Sequence, residues 1–471
     1  MLTTRRWKLR GAQSKPVSTP RPIAPMRSPT GAREAPRVVE RLPAMLHGYR
    51  LLTAAIAPLA PLLLSYRLKR GKEDPARLSE RRGESTIRRP SGALVWVHGA
   101  SVGEIAAVMP LVAHIRGQGF QVLVTSGTVT SAELAQQRLP PGAIHQFVPL
   151  DVPRFVTRFL DHWRPNIALF VESDLWPNLI IAGAARRIPL ILVNGRLSQR
   201  SFRRWGFAPR MIAALFSRLD LCLAQTPADA GRYSELGAPR VSMTGNLKLD
   251  VPAPPADPKE LQAIKAAIHG RRVVAAASTH PGEEDAVIGA HRRLRQTFPG
   301  LLTIIAPRHP ERGPAIAEMA TASGLTTARR ARGERPDART DVYIADTVGE
   351  LGLIYRLAPI VFMGGSLASH GGQNPIEAAK LGAAILHGPN VWNFTDIYSA
   401  LDQAHGAEQI ADAGKLATRI GAWLTDPAER NAVAEAGRRT VEALAGAQAL
   451  TLQALDPYFM QLGFEHRSSH A

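Results

Sequence analysis

The chain has 471 residues, 45% of them hydrophobic, a globular composition too long for one ordinary core and sized for two domains of about 150–200 residues each. Its one cysteine, Cys222, excludes an internal disulfide and a cysteine-built zinc or iron–sulfur centre. The net charge of +19 is concentrated: residues 1–50 hold 11 Lys and Arg against 2 Asp and Glu, and residues 67–90 hold 9 against 4. The remaining body therefore lacks the basic footprint of a nucleic-acid-binding surface.

Residues 1–44 are rich in Pro, Arg and Ser and carry no usable apolar period. They read as a basic extension outside the fold: a disordered arm, a targeting segment, or an over-extended start ahead of Met45. Within segment 45–70, the uncharged run Leu51–Tyr66 contains Pro58 and Pro61. It is shorter than the roughly 20 residues of a spanning helix. Arg50 on one side and Arg67, Lys69 and Arg70 on the other mark it as a membrane anchor or interfacial segment, or else an apolar element docked on the domain.

From residue 94 short apolar runs alternate with amphipathic ones. LVWV (94–97), QVLVT (121–125), IALFV (167–171), LILVN (190–194), LDLCLA (219–224) and VSMTG (241–245) are the expected strands, with helix-length segments between them. That alternation predicts parallel βαβ units in an α/β, doubly wound domain over 71–250. LDVPAPPADPKE, with four prolines in twelve residues, breaks it and sets a linker at 251–260. RVVAAAS, LLTIIAP, DVYIAD, PIVFMGG and AAILHG then restart it over 261–445, leaving a helix and tail at 446–471. Two Rossmann-like halves with parallel sheets imply an interdomain cleft, with ligands beyond the carboxyl ends of the strands. No Walker A sequence, HExxH or G-x-G-x-x-G after the first strand occurs.

The strand ends carry the chemistry. After the first comes HGASVGE, where Ser101 and Glu104 have capping-box spacing, so Glu104 either closes a helix turn or faces a substrate. The two roles look exclusive, because a carboxylate turned back on its own cap could not also reach across a cleft. Glu172 follows the third expected strand, Asn194, Arg196 and Ser198 the fourth, and Asn246 and Lys248 the sixth. In the second half Arg308 and His309 follow LLTIIAP. Further on, GGQNPIEAAK places Asn374 as N-cap, Pro375 as first helical residue and Glu377 three residues past the cap. Free amides there would suit an anion such as phosphate, although a well-capped helix behind a flexible loop reads the same way. Arg308 and Lys248 are cations suited to a departing phosphate, or solvated side chains.

HGASVGE, VESDLWPNL, VNGRLSQRS, TGNLKLD, ASTHPGEE, APRHPER, DTVGEL, GGSLASHGGQNPIEAAKLG and GPNVWNF, in order and spacing from about Met45 to about Ala445, resemble the 3-deoxy-D-manno-octulosonic acid (Kdo) transferases of lipopolysaccharide synthesis. The resemblance implies a GT-B glycosyltransferase of two Rossmann-like domains. It implies no metal or other cofactor, CMP-Kdo as donor, a tetraacylated lipid A precursor as acceptor, and an N-terminal anchor on the cytoplasmic side of the inner membrane. It also implies Glu104 as general base and Glu172 and Lys248 as transition-state-stabilising residues. Pro307 and Arg308, Val348, Gly349 and Glu350, and Asn374, Pro375, Ile376 and Glu377 would contact the CMP moiety. One departure stands out: Gln373 occupies a position where the family commonly has His, keeping hydrogen-bonding capacity without a titratable proton. A GT-B enzyme using another nucleotide sugar, or a non-enzymatic basic protein binding membrane or nucleic acid through its N-terminal arm, are the competing readings.

Overall fold

The eleven apolar runs and three shorter segments form fourteen strands in two parallel sheets in the computed structural model, which describes residues 42–173 and 175–468, with backbone alone over 465–468. The extension assigned to 1–44 thus lies almost wholly outside the described residues. The first sheet contains β1 (Leu94–His98), β2 (Gln121–Ser126), β3 (Ile144–Phe147), β4 (Ile167–Val171), β5 (Leu190–Gly195), β6 (Leu221–Ala224) and β7 (Val241–Met243). The second contains β8 (Val273–Thr279), β9 (Leu302–Pro307), β10 (Thr327–Arg329), β11 (Val342–Ile344), β12 (Ile360–Met363), β13 (Ala384–His387) and β14 (Ala407–Gln409). Strand orders are β3-β2-β1-β4-β5-β6-β7 and β10-β11-β9-β8-β12-β13-β14. Both sheets belong to one compact unit.

The central strands are buried along their whole length, as helices covering both faces require, so their residues are apolar throughout instead of alternating. Each order reverses direction once. In the first sheet the switch falls between β1 and β4, which pair from Val95 with Ile167 to His98 with Phe170. In the second it falls between β8 and β12, which pair from Val274 with Ile360 to Ala277 with Met363. Helices leave opposite faces at such a point and open a crevice beyond the strand ends.

Between the sheets no regular element spans 251–257, and Pro258 starts the helix Pro258–Ala267 with Asp257 as its cap. The last proline of the linker therefore begins a helix, because its missing N–H falls where a helix has no partner for one. The final helix, Ala447–Ser468, returns to the first sheet, where Leu455, Phe459 and Leu462 pack into the same core as Val95 and Val122.

Ahead of the first sheet, helices Ala44–Ala55 and Ala60–Lys69 meet at a bend of 42° around a turn holding Pro58. Among the described residues no single helix is long and apolar enough to cross a membrane. Ala57 and Ala60 dock against Val152 and Phe155. Thr53 accepts from Asn178 Nδ2 at 3.1 Å, and the Tyr49 hydroxyl donates to buried Asp151 at 2.8 Å. The outer side stays uncovered, with Leu51 72% and Leu62 69% exposed.

Candidate functional site

Beyond β1 the chain turns through Gly99 and Ala100 into the helix Val102–Gly117, capped by Ser101, whose hydroxyl accepts from the Glu104 N–H at 3.3 Å. The Glu104 carboxylate reciprocates. One oxygen accepts from the Ala100 N–H at 2.7 Å and the other from the Ser101 hydroxyl at 2.9 Å. The carboxylate thus sits in the cap, and it does so at the switch-point mouth. Capping and an outward function are not alternatives here: each carboxylate oxygen has two lone pairs, and these bonds fix the group where β1 ends.

On the neighbouring strand end, Glu172 adopts φ +60°, a left-handed conformation rare for a side chain of this size. Its carboxylate accepts from Lys248 Nζ at 2.6 Å, with both side chains largely buried. Lys248 lies in the short turn Leu247–Leu249, which two asparagines hold in place. Asn194, fully buried at φ +54°, accepts from the Leu247 N–H at 2.9 Å, and Asn246 accepts from the Lys248 N–H at 3.0 Å. Two strained backbone positions beside an ion pair are the kind of feature that marks a functional site.

The second sheet presents its loops along one edge. Pro307 ends β9, and Arg308 beyond it is exposed and, among the described residues, forms no ion pair. After β11, Val348 is 86% exposed, while the Glu350 carboxylate is gripped by both nitrogens of an Arg330 fork at 2.6 and 3.0 Å. The Arg330 guanidinium lowers the pKa of Glu350, and burial acts against it. The short helix after β12 runs Ile376–Lys380, with Pro375 at its cap position. Helix formation therefore starts one residue later than expected, although Asn374 still caps an amide, accepting from the Ile376 N–H at 3.1 Å. Burial raises the pKa of Glu377, opposed by the positive charges of Arg138 in the first half and of Lys380.

The loop that runs from β12 to the glycine pair 371–372 binds one of the protein's own anions. Buried Glu283 accepts from the N–H groups of Gly365, Ser366, Leu367 and Ala368 at 2.7–3.1 Å, and from His280 N–H at 2.9 Å. Gly364 must be glycine, since a Cβ there would lie 2.4 Å from the Ser278 carbonyl oxygen. Fixed in this way, the loop stacks His370 on His280 at 4.1 Å between ring centres. Gln373 Nε2 lies 3.0 Å from His280 Nε2. Sequence reasoning passed over His280, Glu283 and His370. The signal was available: all three stand in the segments directly following β8 and β12, the two switch-point strands.

The structure therefore brings Glu172 and Lys248 into contact, sets Glu104 on the adjoining strand end, and places the 307–308, 348–350 and 374–377 groups on loops after β9, β11 and β12. A cavity of about 150 Å³ lies on the seam, with Arg196, Asn246 and Lys248 on one wall and Asn393, Phe394 and Asp396 on the other. Among the described residues no cluster of three or more His, Cys, Asp or Glu side chains could hold a metal ion.

Two doubly wound parallel sheets with polar strand ends turned to a common seam define the GT-B architecture of nucleotide-sugar enzymes. A solved glycosyltransferase from Rickettsia africae shares it, with a TM-score of 0.55 at 10% identity over 79% of this chain and 99% of that one. Residues 76–251 match the family described as 3-deoxy-D-manno-octulosonic-acid transferase (kdotransferase). The 3-deoxy-D-manno-octulosonic acid transferase of Bordetella pertussis is 35% identical over 428 residues, 87% of this chain and 99% of that protein. The transferase of the same name from Haemophilus influenzae is 32% identical over 391 residues, 81% and 91% of the two chains. The chain belongs to the 3-deoxy-D-manno-octulosonic acid transferase family.

Proposed function

We propose that the protein moves Kdo from CMP-Kdo to a primary hydroxyl of a tetraacylated, doubly phosphorylated glucosamine disaccharide, the lipid A precursor lipid IVA. The observation that carries this reading is the Glu172–Lys248 pair at the mouth of the first sheet, beside Glu104 on the adjoining strand end. Glu104 takes the proton of the acceptor hydroxyl as its oxygen bonds to the anomeric carbon of Kdo. The bond from that carbon to the CMP phosphate oxygen breaks, and CMP leaves with the electron pair. Proton transfer late in bond formation suits a carboxylate base, because the attacking hydroxyl has by then become acidic. Displacement by a positioned acceptor inverts the configuration at that carbon.

Arg308 faces the departing phosphate, and Lys248, steered by Glu172, stabilises charge developing at the reacting centre. In this mechanism fixed cations supply the stabilisation a metal ion would otherwise give. Pro307, Val348, Gly349, Asn374, Pro375 and Ile376 shape the donor site, with Glu350 and Glu377 setting its charge. The exposed leucines of the N-terminal helix pair enter the cytoplasmic face of the inner membrane from one side, with Arg50, Arg67, Lys69 and Arg70 at anionic headgroups. The lipid acceptor then lies where the enzyme is held.

Incubation of the purified protein with CMP-Kdo and the lipid acceptor, followed by mass measurement of the product, tests the whole reading. The expected result is a lipid heavier by one or more Kdo units, with UDP-sugars inert. Transfer from a UDP-sugar instead would keep the fold and overturn the donor.

A further inference from the structure

The chain between Asp174 and Asp220 contains eight arginines and no acidic residue. Its most exposed part is an arm that leaves β5, forms the short helix Gln199–Trp205 and turns through Phe207 into the helix Pro209–Phe216. The arm is rooted at both ends. Leu197 is buried and donates its N–H to Asp229 at 2.9 Å, and the Trp205 ring packs 5.5 Å from Phe216. Between these roots Arg200, Arg203 and Arg204 are exposed, and among the described residues none forms an ion pair or a side-chain hydrogen bond. Phe207 stands 89% exposed at the tip.

A solvated basic face accounts for three free arginines but not for an aromatic ring held almost entirely in water, which costs hydrophobic free energy unless something covers it. Position narrows the occupant. β5 neighbours β4, whose end carries Glu172 and then Trp176, 42% exposed. The next helix, Pro177–Ala185, is tied through Asn178 to Thr53 of the apolar N-terminal pair. The free guanidinium groups, the exposed aromatic and the helix pair that carries the uncovered leucines are therefore all rooted in segments beyond the carboxyl ends of the first sheet's strands, where the carboxylates lie. A ligand matching all three has phosphate, acyl chain and a reacting sugar in one molecule.

We propose that the 199–210 arm reads the acceptor: Arg200, Arg203 and Arg204 bind a phosphate of the acylated sugar lipid while Phe207 seats against its acyl chains. This rests on the lipid-acceptor reading above and adds the group that selects the acceptor. A guanidinium fork pairs more strongly with a terminal sugar phosphate, a monoester with three free oxygens and a second ionisable proton, than with the singly charged phosphodiester of a membrane phospholipid.

The test uses the full chain with Arg203→Gln and Arg204→Gln combined, and separately Phe207→Ser, all at exposed positions. With the phosphorylated acceptor in mixed micelles, the double arginine variant is expected to raise the acceptor KM about tenfold. The kcat and the donor KM should hold, and the KM for the same acceptor stripped of phosphate should not move. Arg203→Lys with Arg204→Lys should recover only part of the loss. In a parallel binding measurement, vesicles carrying the acceptor should lose affinity for the variant while vesicles of anionic phospholipid alone do not. An equal KM rise on both acceptors, or an equal loss on acceptor-free anionic vesicles, overturns the proposal and makes the arm a general membrane contact. Absence of any transfer by the unaltered protein would instead overturn the proposed function, and the vesicle measurement would still decide the arm.

Discussion

Lys248 Nζ lies 2.6 Å from Glu172 Oε1, linking the end of β4 to the turn beyond β7 at the far edge of the sheet. The pair is too well enclosed to be a surface ornament, with each side chain about one-fifth exposed. Lys248→Met leaves a largely buried carboxylate without its cation, which costs about 1–3 kcal/mol of stability. Transfer should fall further than that loss explains, by on the order of 100-fold in kcat. Glu172→Gln in the same background should recover part of the melting temperature and none of the rate. A double variant as active as the parent would remove the pair from the reaction.

Glu104 offers a cleaner separation of fold from chemistry. Its cap bonds to Ala100 and Ser101 are local, so Glu104→Ala should cost about 0.5–2 kcal/mol, the ordinary range for a helix cap. Sugar transfer should be abolished in the same variant. Ser101→Ala removes one orienting bond and leaves the carboxylate, so it should reduce kcat modestly while retaining the pH profile. Near-normal turnover by Glu104→Ala would end its assignment as the base.

The two-sheet architecture was legible because parallel strands buried on both faces write themselves as continuous apolar runs, and the prolines of 251–258 punctuate them. Three strands escaped that reading. Ile144–Phe147, Thr327–Arg329 and Ala407–Gln409 lie toward or at sheet edges, are short, and carry His145, Gln146, Arg329 or Glu408 in place of apolar residues. The candidate site residues could be assigned to strand ends for the same reason the strands could be read. Pairings were not: nothing in the spacing of Glu283 and Gly365 says that one carboxylate collects the amides of the other's loop. That depends on β8 and β12 becoming neighbours across more than eighty residues of chain.

Gln373 stands against His280 at 3.0 Å, and the His280 ring is stacked on His370, so the amide acts by holding an imidazole. Gln373→His preserves a ring nitrogen able to make that bond and should leave the donor KM within about threefold. Gln373→Leu removes the partner and should raise the donor KM by about tenfold, the value of one lost polar contact. The acceptor KM should be unchanged in both. If Leu is tolerated as well as His, Gln373 does not position the ring.

Membrane attachment should follow the uncovered side of the N-terminal helix pair. Leu51→Glu combined with Leu62→Glu places two carboxylates where the surface is most exposed and touches none of the docking contacts of Thr53, Tyr49 or Ala57. Sedimentation with anionic vesicles should be lost, since each substitution replaces about 2 kcal/mol of apolar burial with a charge that must be desolvated. Transfer to a short-chain, water-soluble acceptor should persist. Unchanged sedimentation would mean that another surface holds the protein to lipid.

The pH dependence of folding should carry a contribution from His145 in β3. Burial, with Arg77 and then Arg81 nearby, pushes its imidazole down to about 3. The ring lies 2.9 Å from the Ser126 hydroxyl and 3.0 Å from the Arg77 guanidinium, whose own partner is Glu80. A histidine in the unfolded chain takes up its proton near pH 6.5, and the folded protein does not until far lower. The unfolded state therefore binds more protons throughout that interval, and stability falls as the pH drops from about 6.5 toward 3, while above about 7 the term vanishes. At pH 5.5 the loss from this one group is about 1.4 kcal/mol. His291 and His280, also depressed by burial, act in the same direction, so the parent's slope exceeds the share of His145. His145→Gln keeps a partner for Ser126 and cannot titrate. Melting temperatures measured from pH 7.5 to 5 should fall less steeply in the variant, with the two curves converging toward acid. Parallel curves would show that His145 accepts its proton as readily folded as unfolded.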